Sequence, residues 1–141
     1  MKVSVTRSFC MAHRLPRHTG ACHRLHGHRI EVTVSVQCNG YDEDGFVIDF
    51  SILKKTVDDV IQPWDHNTLL ALEDKKLGNF LIKNIPDQKI FYFSPQPTSE
   101  VLACDIQQKV LHKLQKLGYS ISGSIWIQVA VSESPGSVAS T

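Results

Sequence analysis

Hydrophobic and polar residues alternate from the start of the chain. Val3, Val5, Phe9, Met11 and His13 share one parity and Lys2, Ser4, Thr6 and Ser8 the other, with Arg7 intruding on the apolar side. A period of two with one apolar face predicts a half-buried strand over Lys2–His13. From His28 the alternation resumes through Ile30, Val32, Val34, Val36 and Cys38 against Glu31, Thr33, Ser35 and Gln37, the strongest strand pattern present. A third such stretch runs from Ser124 to Glu133. Ile125, Ile127, Val129 and Val131 lie on one side, and Trp126, Gln128 and Ala130 on the other. Ser134-Pro135-Gly136 is a turn, after which Ser137–Thr141 returns as a short strand.

Between these strands the period lengthens. Phe50, Leu53, Val57, Val60 and Ile61 recur near the helical repeat, with Asp49 as cap and Pro63 as stop. Ala103, Ile106, Val110, Leu114 and Leu117 form a second helical stripe, capped by Thr98 and ended at Gly118. Glu100 is favourably placed against that helix's N-terminal dipole. Asn39-Gly40 and Asp44-Gly45 mark turns. Trp64-Asp65-His66-Asn67 forms a non-helical link, Thr68–Leu81 carries a weak, partly helical pattern, and Lys89–Phe93 is a short β-like run. Strands, helices and strands in this order give an α+β fold, with helices on one face of an antiparallel sheet. The other face needs a cover, and oligomerisation is the expected one.

Composition narrows the picture. A chain of 141 residues with 42% hydrophobic and 21% charged residues suits one soluble domain that needs no disulfide staple. A net charge of +1 supplies no basic field for nucleic acid. Cys10, Cys22, Cys38 and Cys104 show no repeated spacing, and the N-terminus has no apolar leader or membrane-length run. A reduced, cytoplasmic setting is expected.

Five of the seven histidines (His13, His18, His23, His26 and His28) fall in the first 28 residues. In extended backbone His26 and His28 point to one face, about 7 Å apart along the strand. With His13 they lie on the core-facing parity of what should be neighbouring strands. Three imidazoles are the ligand set of a catalytic zinc that keeps an open position. His18 and His23 are competing ligands, placed in a polar loop. Cys10 falls on the wrong face. Cys22 is either a fourth ligand, closing the site, or a free thiolate favoured by the neighbouring His23 and Arg24. Asp65-His66 could relay a proton. Glu133 continues an apolar parity, where a carboxylate is costly unless it pairs with something.

Six segments occur together and in order: Phe9-Cys10-Met11-Ala12-His13-Arg14-Leu15, Cys22-His23-Arg24-Leu25-His26-Gly27-His28, Gly45-Phe46-Val47-Ile48-Asp49-Phe50, Trp64-Asp65-His66-Asn67, Pro97-Thr98-Ser99-Glu100-Val101-Leu102-Ala103 and Val131-Ser132-Glu133. Across nearly the whole chain they resemble the 6-pyruvoyl-tetrahydropterin synthase / 6-carboxy-tetrahydropterin synthase family. The three-residue gap between Cys22 and His26 is similar to that of the bacterial queuosine-pathway members. The resemblance implies a single T-fold domain over residues 1–141, with a four-stranded antiparallel sheet and two main helices on one face. It implies an oligomeric barrel, a hexamer built as a dimer of trimers, with sites between subunits.

It further implies zinc on His13, His26 and His28, Cys22 as catalytic base and Asp65-His66 as its relay. Glu133 anchors the pterin ring, with the Thr98-Ser99-Glu100 helix start and Arg24 at the substrate. The implied substrate is 7,8-dihydroneopterin triphosphate, its triphosphate met by residues drawn from Arg14, Arg17, Arg24 and lysines. The alternatives are the pyruvoyl-forming enzyme, a non-catalytic zinc-stabilised assembly subunit with Cys22 as fourth ligand, and metal-assisted hydrolysis without a pterin. The stretch Glu73–Pro95 and the ending Ser137–Thr141 depart from the family pattern.

Overall fold

The structure, a computed structural model, describes residues 1–119 and 125–141. Its strands are β1 (Lys2–His13), β2 (His26–Cys38), β3 (Asn67–Ala71), β4 (Ile90–Phe93), β5 (Ile125–Ser134) and β6 (Ser137–Ser140). Its α-helices are α1 (Phe50–Ile61), α2 (Lys75–Asn84) and α3 (Ser99–Lys116). The strands form one sheet in the order β4-β3-β1-β2-β5-β6.

The alternating sequences pair as their parities require. Val3 opposes Val36, Val5 opposes Val34 and Phe9 opposes Ile30 across antiparallel β1 and β2. Val32, Val34 and Val36 in turn oppose Val131, Val129 and Ile127 of antiparallel β5. A one-residue slip would turn all these side chains to the other face, so burial pins the register. On the apolar face lie α1, through Leu53, Val57, Val60 and Ile61, and α3, through Leu102, Ala103, Ile106, Val110 and Leu114. The opposite face carries hydroxyl pairs, Ser4–Ser35 at 2.8 Å and Thr6–Thr33 at 2.9 Å. Both expected caps form. The Asp49 carboxylate accepts from the Ser51 amide at 2.6 Å, and Thr98 Oγ1 accepts from the Val101 amide at 3.4 Å.

Two expectations need correction, and the partly helical reading of Thr68–Leu81 gains a strand beside its helix. The sheet has six strands rather than four and is mixed rather than wholly antiparallel, because β3 runs parallel to both β1 and β4. Leu69, Leu70 and Ala71 are all fully buried, so β3 is covered on both faces and shows no alternation to read. The stretch Thr68–Leu81 is accordingly strand first, then helix: α2 is the crossover that a parallel β3–β4 pair requires. Phe50 and Leu117, assigned to buried stripes, are 51% and 61% exposed at the ends of their helices. Ser124, expected to open a strand, lies outside the described residues, and β5 is described from Ile125. The short strand expected at the end of the chain is β6.

Candidate active site

The end of the β1–β2 pair brings the imidazoles together. His13 and His26 are direct cross-strand partners, and His28 stands opposite Met11, two residues along the same face. Their ring centroids are separated by 4.7 Å (His13–His26), 5.2 Å (His13–His28) and 4.9 Å (His26–His28). Gly27, between the two β2 histidines, lies close to β1: a Cβ there would come within 3.3 Å of the Met11 carbonyl oxygen.

Backbone carbonyls hold two of the rings. His13 Nδ1 donates to the Pro97 carbonyl at 2.9 Å, and His26 Nδ1 donates to the Arg24 carbonyl at 2.7 Å. A carbonyl only accepts, so each Nδ1 carries the hydrogen and each Nε2 keeps its lone pair. The Nε2 atoms of His13 and His26 are both sealed from solvent without a hydrogen-bond partner. Leaving a buried polar atom unpaired costs about 1–3 kcal/mol. A cation held between the rings removes that penalty, and one ligand atom from each histidine lies within 4.8 Å of the others. Three imidazoles suit zinc, copper, iron or nickel. Burial lowers the His13 pKa below its ordinary 6.5, opposed by the Pro97 hydrogen bond and the Glu133 charge and reinforced by His26 and His28. His13 is therefore neutral and able to ligate at physiological pH.

Pro97, invisible to a reading of side-chain chemistry, was signalled only by the capping residue after it. Thr98 starts α3, and the same turn aims the Pro97 carbonyl at His13. Thr98 and Ser99 are half-buried there and Glu100 is exposed. Glu133 is half-buried on β5 and acts electrostatically on His13. In the strand register Val131 opposes Val32, so Glu133 lies further toward the His28 end of β2. Cys22 is half-buried in the 3-10 turn Ala21–His23, is a free thiol, and does not belong to the histidine ligand group. Arg24 is exposed and contributes its carbonyl to His26. The loop histidines bond locally: the Gly20 amide donates to His18 Nδ1 at 2.9 Å, and His23 Nδ1 donates to the Gly20 carbonyl at 2.8 Å.

Asp65 and His66 form their expected pair, with His66 Nδ1 3.0 Å from Asp65 Oδ1. They dock beside Cys10 rather than Cys22. The Cys10 amide donates to Asp65 Oδ1 at 2.9 Å, and the His66 amide donates to the Cys10 carbonyl at 2.6 Å. The Cys10 amide, more than His66, holds the Asp65 carboxyl below its ordinary value. His66 has a positive φ of 58° and a side chain 79% exposed. No hydrogen bond or ion pair among the described residues joins this pair to Cys22 of the same chain. Arg14 and Arg17, expected among the triphosphate ligands, are engaged by Asp74 at 3.1 Å and Glu73 at 2.7 Å.

Comparison with known proteins places this fold in a family. The sequence model of the 6-pyruvoyl tetrahydropterin synthase family matches residues 2–141. The chain is 35% identical over 111 residues to a 6-carboxy-5,6,7,8-tetrahydropterin synthase of Rickettsia felis, covering 75% of this chain and 77% of that one. It is 44% identical over 120 residues to the protein of that name from Haemophilus influenzae, covering 81% and 84%. Among solved structures, Plasmodium falciparum 6-pyruvoyl tetrahydropterin synthase superposes with a TM-score of 0.74 at 28% identity, covering 100% of this chain and 96% of that one. The Caenorhabditis elegans enzyme shares the fold, with a TM-score of 0.68 at 22% identity over 100% and 94% of the chains. With its sheet, its two covering helices and its clustered histidines, the chain belongs to the 6-pyruvoyl tetrahydropterin synthase family.

Proposed function

We propose that this protein is a zinc-dependent 6-carboxy-5,6,7,8-tetrahydropterin synthase, a carbon–oxygen lyase that acts on 7,8-dihydroneopterin triphosphate with loss of triphosphate. The observation that carries the reading is the histidine trio, two of whose Nε2 atoms are buried and unpartnered. His13, His26 and His28 would hold the metal. When bound, zinc supplies Lewis acidity toward the hydroxyl oxygens of the substrate side chain.

The remaining roles belong to side chains. Glu133 pairs with the amino-pyrimidine edge of the pterin through charge-assisted hydrogen bonds and sets which carbon faces the base. The start of α3, Thr98-Ser99-Glu100, borders the ring, and Arg24 is left for the triphosphate. Cys22, as thiolate, removes the side-chain proton. His66 carries that proton and Asp65 fixes the imidazole tautomer. The exposure of His66 and its attachment to Cys10 support a site shared between copies, in which His66 of one subunit serves Cys22 of another. A homo-oligomer, a hexamer built from two trimers, fits that sharing. We place the reaction in queuosine and 7-deazapurine synthesis and in the cytoplasm, where the four free cysteines stay reduced.

The relatives from Rickettsia felis and Haemophilus influenzae carry the 6-carboxy name, and this favours the carboxy product. The Plasmodium falciparum relative is named for the pyruvoyl product, which keeps the same first steps as the second reading. The two products differ in side-chain carbons. Incubation of zinc-loaded protein with 7,8-dihydroneopterin triphosphate, with products weighed by mass spectrometry, should yield the 6-carboxy pterin. A pyruvoyl product would establish the second reading, and unchanged substrate would overturn both. The zinc-stabilised subunit reading requires Cys22 bound to the metal; absorption spectroscopy of the cobalt-substituted protein should instead show no thiolate charge-transfer band.

A further inference from the structure

The stretch Glu73–Pro95 adds α2 and the edge strand β4 beyond β3, and its first acidic residues reach across to the loop between His13 and Cys22. Arg14 Nε lies 3.1 Å from Asp74 Oδ2, an ion pair that lacks hydrogen-bond geometry, with side chains only 29% and 14% exposed. Arg17 meets Glu73 with its guanidinium fork, Nε at 3.1 Å from Oε1 and Nη2 at 2.7 Å from Oε2. Between the two arginines sits Leu15. Its amide donates to the Cys22 carbonyl at 2.9 Å, and its carbonyl accepts from the His18 amide at 2.9 Å. The Arg17 amide also donates to Gln96 Oε1 at 3.3 Å, one residue before the carbonyl that holds His13.

We infer that Asp74 and Glu73 are positioning residues: through Arg14 and Arg17 they fix the loop whose Leu15 amide holds the turn bearing Cys22. The arginines are thereby anchors of the catalytic loop rather than ligands of the triphosphate. The Asp74–Arg14 contact is the more shielded of the two, and losing one partner leaves the other charge poorly solvated. The Glu73–Arg17 fork is more exposed, at 42% and 60%, so it contributes alignment more than stability. The kinetic consequence rests on Cys22 acting as base, whereas the structural claim does not.

The test is therefore made in two arms, on zinc-loaded protein of full length. In the first, iodoacetamide alkylation of each cysteine is followed by peptide mass spectrometry in Asp74→Asn, in the milder Glu73→Gln, and in the charge-swapped pair Arg14→Asp with Asp74→Arg. The Cys22 rate should change at least threefold in the single variants and return toward wild type in the swap. Cys10 and Cys104, exposed elsewhere, should keep their rates. In the second arm, kcat should fall about tenfold in Asp74→Asn with KM within twofold and zinc content unchanged. An unaltered Cys22 rate in both single variants would overturn the proposal. So would a lowered KM for the triphosphate on freeing the arginines, which would return them to substrate binding. Altered labelling in protein that lacks synthase activity would uphold the anchor and reject only the assigned reaction.

Discussion

At the scale of single residues, the site depends on which nitrogen of each imidazole carries hydrogen. His13 and His26 face backbone carbonyls with Nδ1, so both turn an Nε2 lone pair into the cluster. The His13 pKa is lowered chiefly by burial. A histidine whose folded pKa lies below its unfolded one binds fewer protons when folded, so stability rises with pH across that interval. The metal-free protein should keep its full melting temperature above about pH 6.5. It should lose stability as pH falls below that value, and His13→Gln should flatten the dependence. Metal affinity should fall in the same direction, because protons compete for the ligating nitrogens; dialysis at stepped pH with metal analysis checks it. Cys22→Ala should cut turnover by about 10²–10⁴-fold, the range of a lost general base, while zinc stays bound. Loss of zinc from that variant would mark Cys22 as a ligand.

At the scale of elements, α1 and α3 begin alike and differ in what lies before them. Thr98 caps α3 and follows the carbonyl that orients His13, whereas Asp49 caps α1 far along the chain from any ligand. Thr98→Ala and Asp49→Ala should each cost about 1 kcal/mol in denaturant unfolding. Only Thr98→Ala should also weaken zinc, measured by competition with a chelator, since second-layer supports of a ligand are worth up to about 10–100-fold in affinity. Equal zinc affinity in both variants would separate the helix start from the metal. The β3-α2-β4 unit has a different purpose in the fold: it extends the sheet in parallel and brings Glu73 and Asp74 to Arg17 and Arg14 in the loop before Cys22.

At the scale of the whole molecule, the histidines and Glu133 gather at one end of the sheet's buried face, while Asp65 and His66 dock beside Cys10, a residue of the other face. Under the proposed sharing, His66 of one copy serves Cys22 of another. Mixing the separately inactive Cys22→Ala and His66→Ala proteins, followed by unfolding and co-refolding, should restore activity that neither has alone. Continued inactivity would mean that each chain supplies its own relay.

The long strands and both main helices were legible because their periods of 2 and 3.6 are local properties, imposed on each segment by having one face buried. The histidine cluster was legible for the same reason, since parity alone placed His13, His26 and His28 on one face. Strand β3 was not, because burial on both sides erases the alternation that marks a strand. Nor were the carbonyls of Pro97 and Arg24, or the grip of Asp74 and Glu73 on Arg14 and Arg17. Any residue has a carbonyl and any arginine can meet an acid; which pair meets depends on chain segments brought together only by folding. The kinds of chemistry were thus written in residue types and their spacing, while the partners that tune them were chosen by tertiary contact.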